Sequence, residues 1–165
     1  MLVEDARRGV EVVRAFDGPI VDVGSGNGSP GLVLAAELPD RQVTLLDSNG
    51  RKAAFLERVA PDFPNVLVVR ARAEEHDGSY GIAVAKALAP PAVALEWLLP
   101  LVCEGGAAVL WLGPSAELDV LSRVSEQLGG AEAEQRNGLA VARKIAPTPA
   151  GFPRRSGVAR KRPLA

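Results

Sequence analysis

Apolar residues at Leu2, Ala6, Val10, Val13 and Phe16 recur at helical spacing and predict one helix over residues 2–16. The period then changes. "PIVDVG" (19–24) is a short apolar run ending on glycine, which predicts a strand entering a turn. Ser29 before Pro30 reads as an N-cap followed by the first residue of a helix through "GLVLAAEL". "QVTLLD" (42–47) predicts a second strand, and "GRKAAFLERVA" (50–60) a helix with Phe55, Leu56 and Val59 turned inward. "NVLVVRA" (65–71) and "YGIAVAKA" (80–87) follow as strands, then "PAVALEWLLPLV" (91–102) as a helix and "GGAAVLWLG" (105–113) as a strand. "AELDVLSRVSEQL" (116–128) is helical, with Leu118, Leu121, Val124 or Ser125, and Leu128 on one side. "AEAEQR" and "LAVARKI" flank Asn137-Gly138, a strong hairpin signal.

Strands alternating with helices predict an α/β fold: a mostly parallel sheet with helices on both faces, closed by an antiparallel hairpin. Residues 1–146 form the predicted domain. Residues 147–165, rich in Pro, Gly and Arg and without periodicity, read as an irregular arm. Of the 165 residues, 47% are hydrophobic and 24% charged, an ordinary globular balance. No apolar run reaches the length of a membrane span, and the first residues lack the apolar core of a signal peptide, so a cytoplasmic protein is expected. The single cysteine, Cys103 in "LLPLVCEGG", excludes an internal disulfide and is expected to be buried.

The net charge of −1 hides an asymmetry. Residues 135–165 carry eight basic side chains and no acidic one, so the acidic excess lies wholly in the body. A basic arm on an acidic body suggests a polyanionic partner; a merely solvated tail is the plainer reading.

Four glycines (Gly24, Gly26, Gly28 and Gly31) fall within eight residues just past the first predicted strand. In an open α/β sheet that loop is the expected ligand site. The spacing Gly24-x-Gly26-x-Gly28 differs from a dinucleotide fingerprint, and the loop makes no evident demand for a diphosphate. Asp47 ends the second strand, 19 residues after Gly28, where a carboxylate can accept from both ribose hydroxyls. A nucleoside with a short zwitterionic chain satisfies both features, and S-adenosylmethionine is such a molecule. The competing structural reading is a tight strand-to-helix turn, for which one glycine suffices. Asp22, inside the first strand, either meets the ligand's amino group or caps N–H groups of the loop.

The segments "VDVGSGNGSPGLVLA", "VTLLDSNGRKAAFLERV", "NVLVVRARAEEH", "PLVCEGGAAVLWLG" and "FPRRSGVARKRPL" occur in this order. Together they resemble the bacterial glucose-inhibited division protein B family over residues 10–164. The resemblance implies a class I S-adenosylmethionine-dependent methyltransferase with a Rossmann-like fold, acting on N7 of a guanine in 16S rRNA or the small ribosomal subunit. It implies that Gly24, Gly26 and Gly28 line the methionine part of the cofactor, with Asp22 nearby. Asp47 or Ser48 would meet the ribose, and Ala73 and Glu74 the adenine edge. Glu75 and His76 are expected to be exposed loop residues. Lys86 would face the cofactor or the incoming guanosine as the catalytic-site residue, and Arg154, Arg155, Arg160 and Lys161 would contact RNA phosphates. The arm is therefore expected to serve RNA and leave cofactor affinity largely unaffected.

The chain departs from that pattern at Ser29, where the family usually has Phe, at Gly81 for an acid, at Lys86 for Arg and at Leu112 for Lys. The family's N-terminal helical extension is nearly absent. Guanine N7 carries a lone pair and no proton, so its methylation needs placement rather than a general base. This agrees with the lack of a nucleophile–base pair or metal-ligand cluster in the sequence. Trp97 and Trp111 sit in apolar surroundings and are expected to be core residues. Two readings stay open here, an active rRNA methyltransferase and a non-catalytic or weakly active cofactor- and RNA-binding protein on the same scaffold. A small-molecule methyltransferase fits less well, because it has no use for the basic arm.

Overall fold

The computed structural model describes residues 2–113 and 116–164. Its core is a seven-stranded sheet: β1 (Ile20–Val23), β2 (Val43–Asp47), β3 (Val66–Arg70), β4 (Tyr80–Lys86), β5 (Val102–Trp111), β6 (Glu134–Arg136) and β7 (Leu139–Arg143), in the order β3-β2-β1-β4-β5-β7-β6. The first five strands are parallel, while β7 runs antiparallel to both β5 and β6. The winding reverses beside β1. Its carboxyl end is thus the edge of a crevice, the usual place for a ligand in such a sheet.

Alternate side chains of the central strands enter two separate cores, because successive residues of a strand face opposite sides. Val21, Val23, Ala83, Ala85, Ala108 and Leu110 pack under α5 (Pro91–Leu98) and α6 (Leu118–Gln127). Ile20, Ile82, Val84, Ala107 and Val109 pack under α2 (Val10–Arg14), α3 (Gly31–Glu37) and α4 (Gly50–Val59). Burial on both faces explains why β1, β2 and β4 read as continuous apolar runs.

Several expectations are corrected at their ends. The helix predicted over 2–16 is two helices, α1 (Leu2–Arg7) and α2, separated at Arg8 and Gly9. The Trp111 indole N–H donates to the Asp5 carbonyl at 3.0 Å, the acceptor a continuous helix would offer Gly9, whose N–H turns to Ala6 instead. Ser29 does not cap α3. The free N–H of Gly31 donates instead to Asp22 Oδ2 at 2.9 Å, leaving the buried Ser29 hydroxyl without a hydrogen-bond partner. In α4, Asn49 is the N-cap and accepts from the N–H groups of Arg51 and Lys52. That register turns Ala53 and Leu56 inward and leaves Phe55 exposed beneath the Arg58 guanidinium.

The helix predicted over 91–102 stops at Leu98, and a 3-10 turn over Leu99–Leu101 leads into β5, which begins at Val102. Pro100 cannot continue the helix because it has no N–H to donate. Cys103 consequently stands on the exposed first part of β5 and is not buried. Both Val124 and Ser125 of α6 are buried, Ser125 donating to the Ala131 carbonyl at 2.6 Å. The hairpin forms as expected, with Asn137 and Gly138 both at positive φ.

The arm is not irregular throughout. It folds back over α5, forms the short helix α7 (Val158–Lys161) and buries Ala159 in the α5 core, with Phe152 and Leu164 beside it.

Candidate functional site

The glycine loop leaves β1 at Gly24, whose φ is +70°, a region that L side chains rarely adopt. The loop is tied to the next strand. Asp47, nearly buried, accepts from the Gly26 N–H through Oδ2 and from the Asn49 N–H through Oδ1, each at 2.8 Å. One carboxylate thus holds both loops that flank the crevice. Each oxygen keeps a second lone pair for a ligand hydroxyl.

Beside these loops lies a cavity of about 270 Å³, at the small end for small-molecule sites. Gly24, Asp47, Ser48, Ala73 and Glu74 all line it, so five of the residues singled out in the sequence converge there. Leu46, Ala71 and Trp97 supply apolar wall, and Asn49, Lys52, Arg72 and Arg160 add polar and cationic groups. A carboxylate at one wall, a polar loop and a flat apolar surface are the complement of a nucleoside. These residues fit S-adenosylmethionine on their own chemistry: Asp47 for the ribose diol, and Leu46, Ala71 and the Ala73–Glu74 turn for an aromatic base.

Asp22, Gly26 and Gly28 are not among the lining residues and stand behind the cavity as supports. Asp22 is fully buried; its Oδ2 accepts from Gly31, its own carbonyl accepts from the Ser25 hydroxyl, and Oδ1 has no partner. Burial pushes its carboxyl up to about 7, and the nearby Asp47 charge adds to the shift. Of the two roles read from the sequence, the structure displays the cap.

Lys86 is a correction. Ala83 and Ala85 face the α5 side and Ile82 and Val84 the other, so Lys86 projects to the face of Ile82 and Val84, where its ammonium pairs with Asp5 of α1. The pair holds the Asp5 carboxyl below its ordinary range. The cavity wall at the β4 exit is made by Ala87 and Leu88 instead.

The arm residues divide. Arg154 forms a two-point ion pair with the buried Glu96 of α5, 2.6 Å on each arm, which raises the affinity of its guanidinium for its proton. Arg160 sits 5.1 Å from the Trp97 ring centre and donates to the Leu88 carbonyl. Arg155, Lys161 and Arg162 are exposed. Glu75 is exposed as expected but accepts from the Ser156 hydroxyl at 2.6 Å, and the His76 ring lies 2.8 Å from the Tyr80 hydroxyl. Sequence reasoning missed Asn49, Lys52, Arg72 and the arm's share in the cavity. Asn49 had a signal, since Asn before a helical run is a cap. The others depend on loop paths that no spacing encodes.

The family described as rRNA small subunit methyltransferase G matches residues 2–141. A ribosomal RNA small subunit methyltransferase G from Roseiflexus castenholzii is 37% identical over 164 residues, covering 88% of this chain and 70% of the relative. One of the same name from Syntrophomonas wolfei is 35% identical, covering 98% of this chain and 84% of the relative. Among solved structures, magnesium protoporphyrin IX methyltransferase from Synechocystis with bound S-adenosylmethionine superposes with a TM-score of 0.67 at 15% identity, over 86% of this chain and 79% of that one. The fold is that of class I S-adenosylmethionine-dependent methyltransferases.

Proposed function

The chain belongs to the rRNA small subunit methyltransferase G family, and on that premise we propose that it transfers a methyl group from S-adenosylmethionine to N7 of a guanine in 16S rRNA. The observation that carries this reading is the convergence of Gly24, Asp47, Ser48, Ala73 and Glu74 on one cavity at the reversal of the sheet. When bound, S-adenosylmethionine supplies an electrophilic methyl group. The chain supplies placement. Asp47 accepts from the ribose while tying down the Gly26 loop, and the Ala73–Glu74 turn borders the base. The Leu88 wall stands at the exit of β4, where donor and acceptor meet. N7 brings its own lone pair, so no side chain has to remove a proton, and orientation is the main contribution to rate.

RNA is held by charge, through the exposed Arg155, Lys161 and Arg162 of the arm. N7 lies on the major-groove edge, which a folded RNA helix hides, so the target guanine is presented in an open strand or loop.

The test is transfer of labelled methyl from S-adenosylmethionine to 16S rRNA, or to small subunits from cells lacking the resident enzyme. Nuclease digestion should release the label as 7-methylguanosine. Label in another nucleoside, or none under any substrate state while the chain binds both ligands, refutes the reading. Asp47→Ala should weaken S-adenosylhomocysteine binding by about 1.5–3 kcal/mol by calorimetry, the scale of a hydrogen bond to a charged group.

A further inference from the structure

Resting on the cofactor reading above, we propose that the arm is the closing wall of the donor site: Arg160 acts in cofactor binding, and RNA held on the outside of α7 and cofactor held on its inside strengthen each other.

Gly157 and Arg160 line the same cavity as Gly24, Asp47 and Glu74. The contacts that seat the arm fall on the cavity wall itself. Glu74 accepts from the Gly157 N–H at 3.3 Å, the Leu88 carbonyl accepts from Arg160 at 3.3 Å, and the Arg160 guanidinium covers Trp97. Trp97 is 6% exposed and its indole N–H has no partner. Behind this contact, the Arg154–Glu96 pair and the Ser156–Glu75 bond anchor the segment again to the same two elements, α5 and the 73–75 turn.

A four-residue helix has too few internal hydrogen bonds to hold its own shape. Its position is set by what it touches, and what it touches is the donor cavity. A ligand that orders Glu74, Leu88 and Trp97 therefore orders the seat of α7, and a ligand that fixes α7 from outside completes the cavity. Arg155, Lys161 and Arg162 are exposed and are absent from the cavity lining, within the same eight residues as Gly157 and Arg160. Coupling of this kind is reciprocal by thermodynamic necessity. The family resemblance implies a phosphate contact for Arg160 along with its neighbours, but its guanidinium lies over the Trp97 ring on the cavity wall.

Calorimetry with S-adenosylhomocysteine on the full chain, with and without saturating 16S rRNA, tests this. Arg160→Ala should bind S-adenosylhomocysteine about fivefold more weakly in the absence of RNA. Arg160→Lys keeps the charge but loses the planar stack and should show the same deficit. RNA should tighten wild-type binding of S-adenosylhomocysteine about fivefold. A chain carrying Arg155→Ala, Lys161→Ala and Arg162→Ala together should lose that gain. Equal affinity of wild type and Arg160→Ala overturns the proposal, as does a wild-type affinity indifferent to RNA. A wild type that binds no S-adenosylhomocysteine at all overturns the cofactor reading first and this inference with it.

Discussion

Asp22 shows how much one position can carry. It is a carboxyl inside a fully buried strand, chosen by the need to satisfy the first N–H of α3, and its second oxygen is unpartnered. Burial favours its neutral form and outweighs the Gly31 hydrogen bond, which favours the charge. With its folded value raised to about 7, the group adds stability that is fully present below its unfolded value near 4 and is lost as pH rises through 7. Asp22→Asn keeps an acceptor for Gly31 and cannot ionise. The stability of wild type relative to this variant should therefore fall by about 4 kcal/mol between about pH 4 and pH 8 in urea melts. A difference that does not change with pH would mean that the native protein ionises this group freely. At Lys86 the sequence was legible as to place but not as to face: alternation sets it with Ile82 and Val84, and only the packing shows that this is the face away from the cavity.

Elements were readable where one force dominated. Every predicted strand exists, because runs such as "IVDV" and "VTLLD" are buried on both faces and leave little alternative. Ends were less readable, because they depend on partners distant in sequence: Trp111 breaks the N-terminal helix, and Asp22 displaces Ser29 as the cap of α3. The pairing of α5 with the arm is the clearest case. Glu96 looks like an ordinary helix acid, yet it is 1% exposed and wholly dependent on Arg154, 58 residues later. Glu96→Ala leaves a largely covered guanidinium unpaired and should cost about 3 kcal/mol in chemical denaturation. It should also release the arm to limited proteolysis within residues 152–162. A stability loss under about 0.5 kcal/mol would show that the pair is no better than a surface ion pair.

For the whole molecule, the acid-free stretch from Gln135 to Ala165 is not a free tail but is partly spent on internal pairs. Arg154 is held by Glu96 and Arg160 by Trp97 and Leu88, while Lys144 is buried and donates to the Leu99 carbonyl. Three arm cations, Arg155, Lys161 and Arg162, are exposed, and these are the ones proposed to hold RNA. Their joint replacement by Ala should flatten the dependence of RNA affinity on salt by about two units in the logarithmic slope for single-stranded RNA, read from filter binding across a salt series. An unchanged slope would place the RNA surface elsewhere. Deleting residues 152–165 now carries a different expectation from the one the sequence suggested: cofactor affinity should fall along with RNA affinity, because the deletion removes Gly157 and Arg160 from the cavity.

The sequence by itself determined the sheet, its parallel body and closing hairpin, and the two strand ends at Gly24 and Asp47 that border the cavity. Those follow from periodicity and from glycine's backbone freedom, both local properties of the chain. Only the tertiary structure decided which faces those residues present, that Lys86 turns to Asp5, that Cys103 is exposed, and that the arm folds into the cofactor cavity. The reason is physical: such outcomes depend on buried charges finding partners tens of residues away, and a lone carboxylate or guanidinium in a core is too costly to stand unpaired. Glu96 and Arg154 pay that cost jointly, and in doing so they bring Arg160 to Trp97.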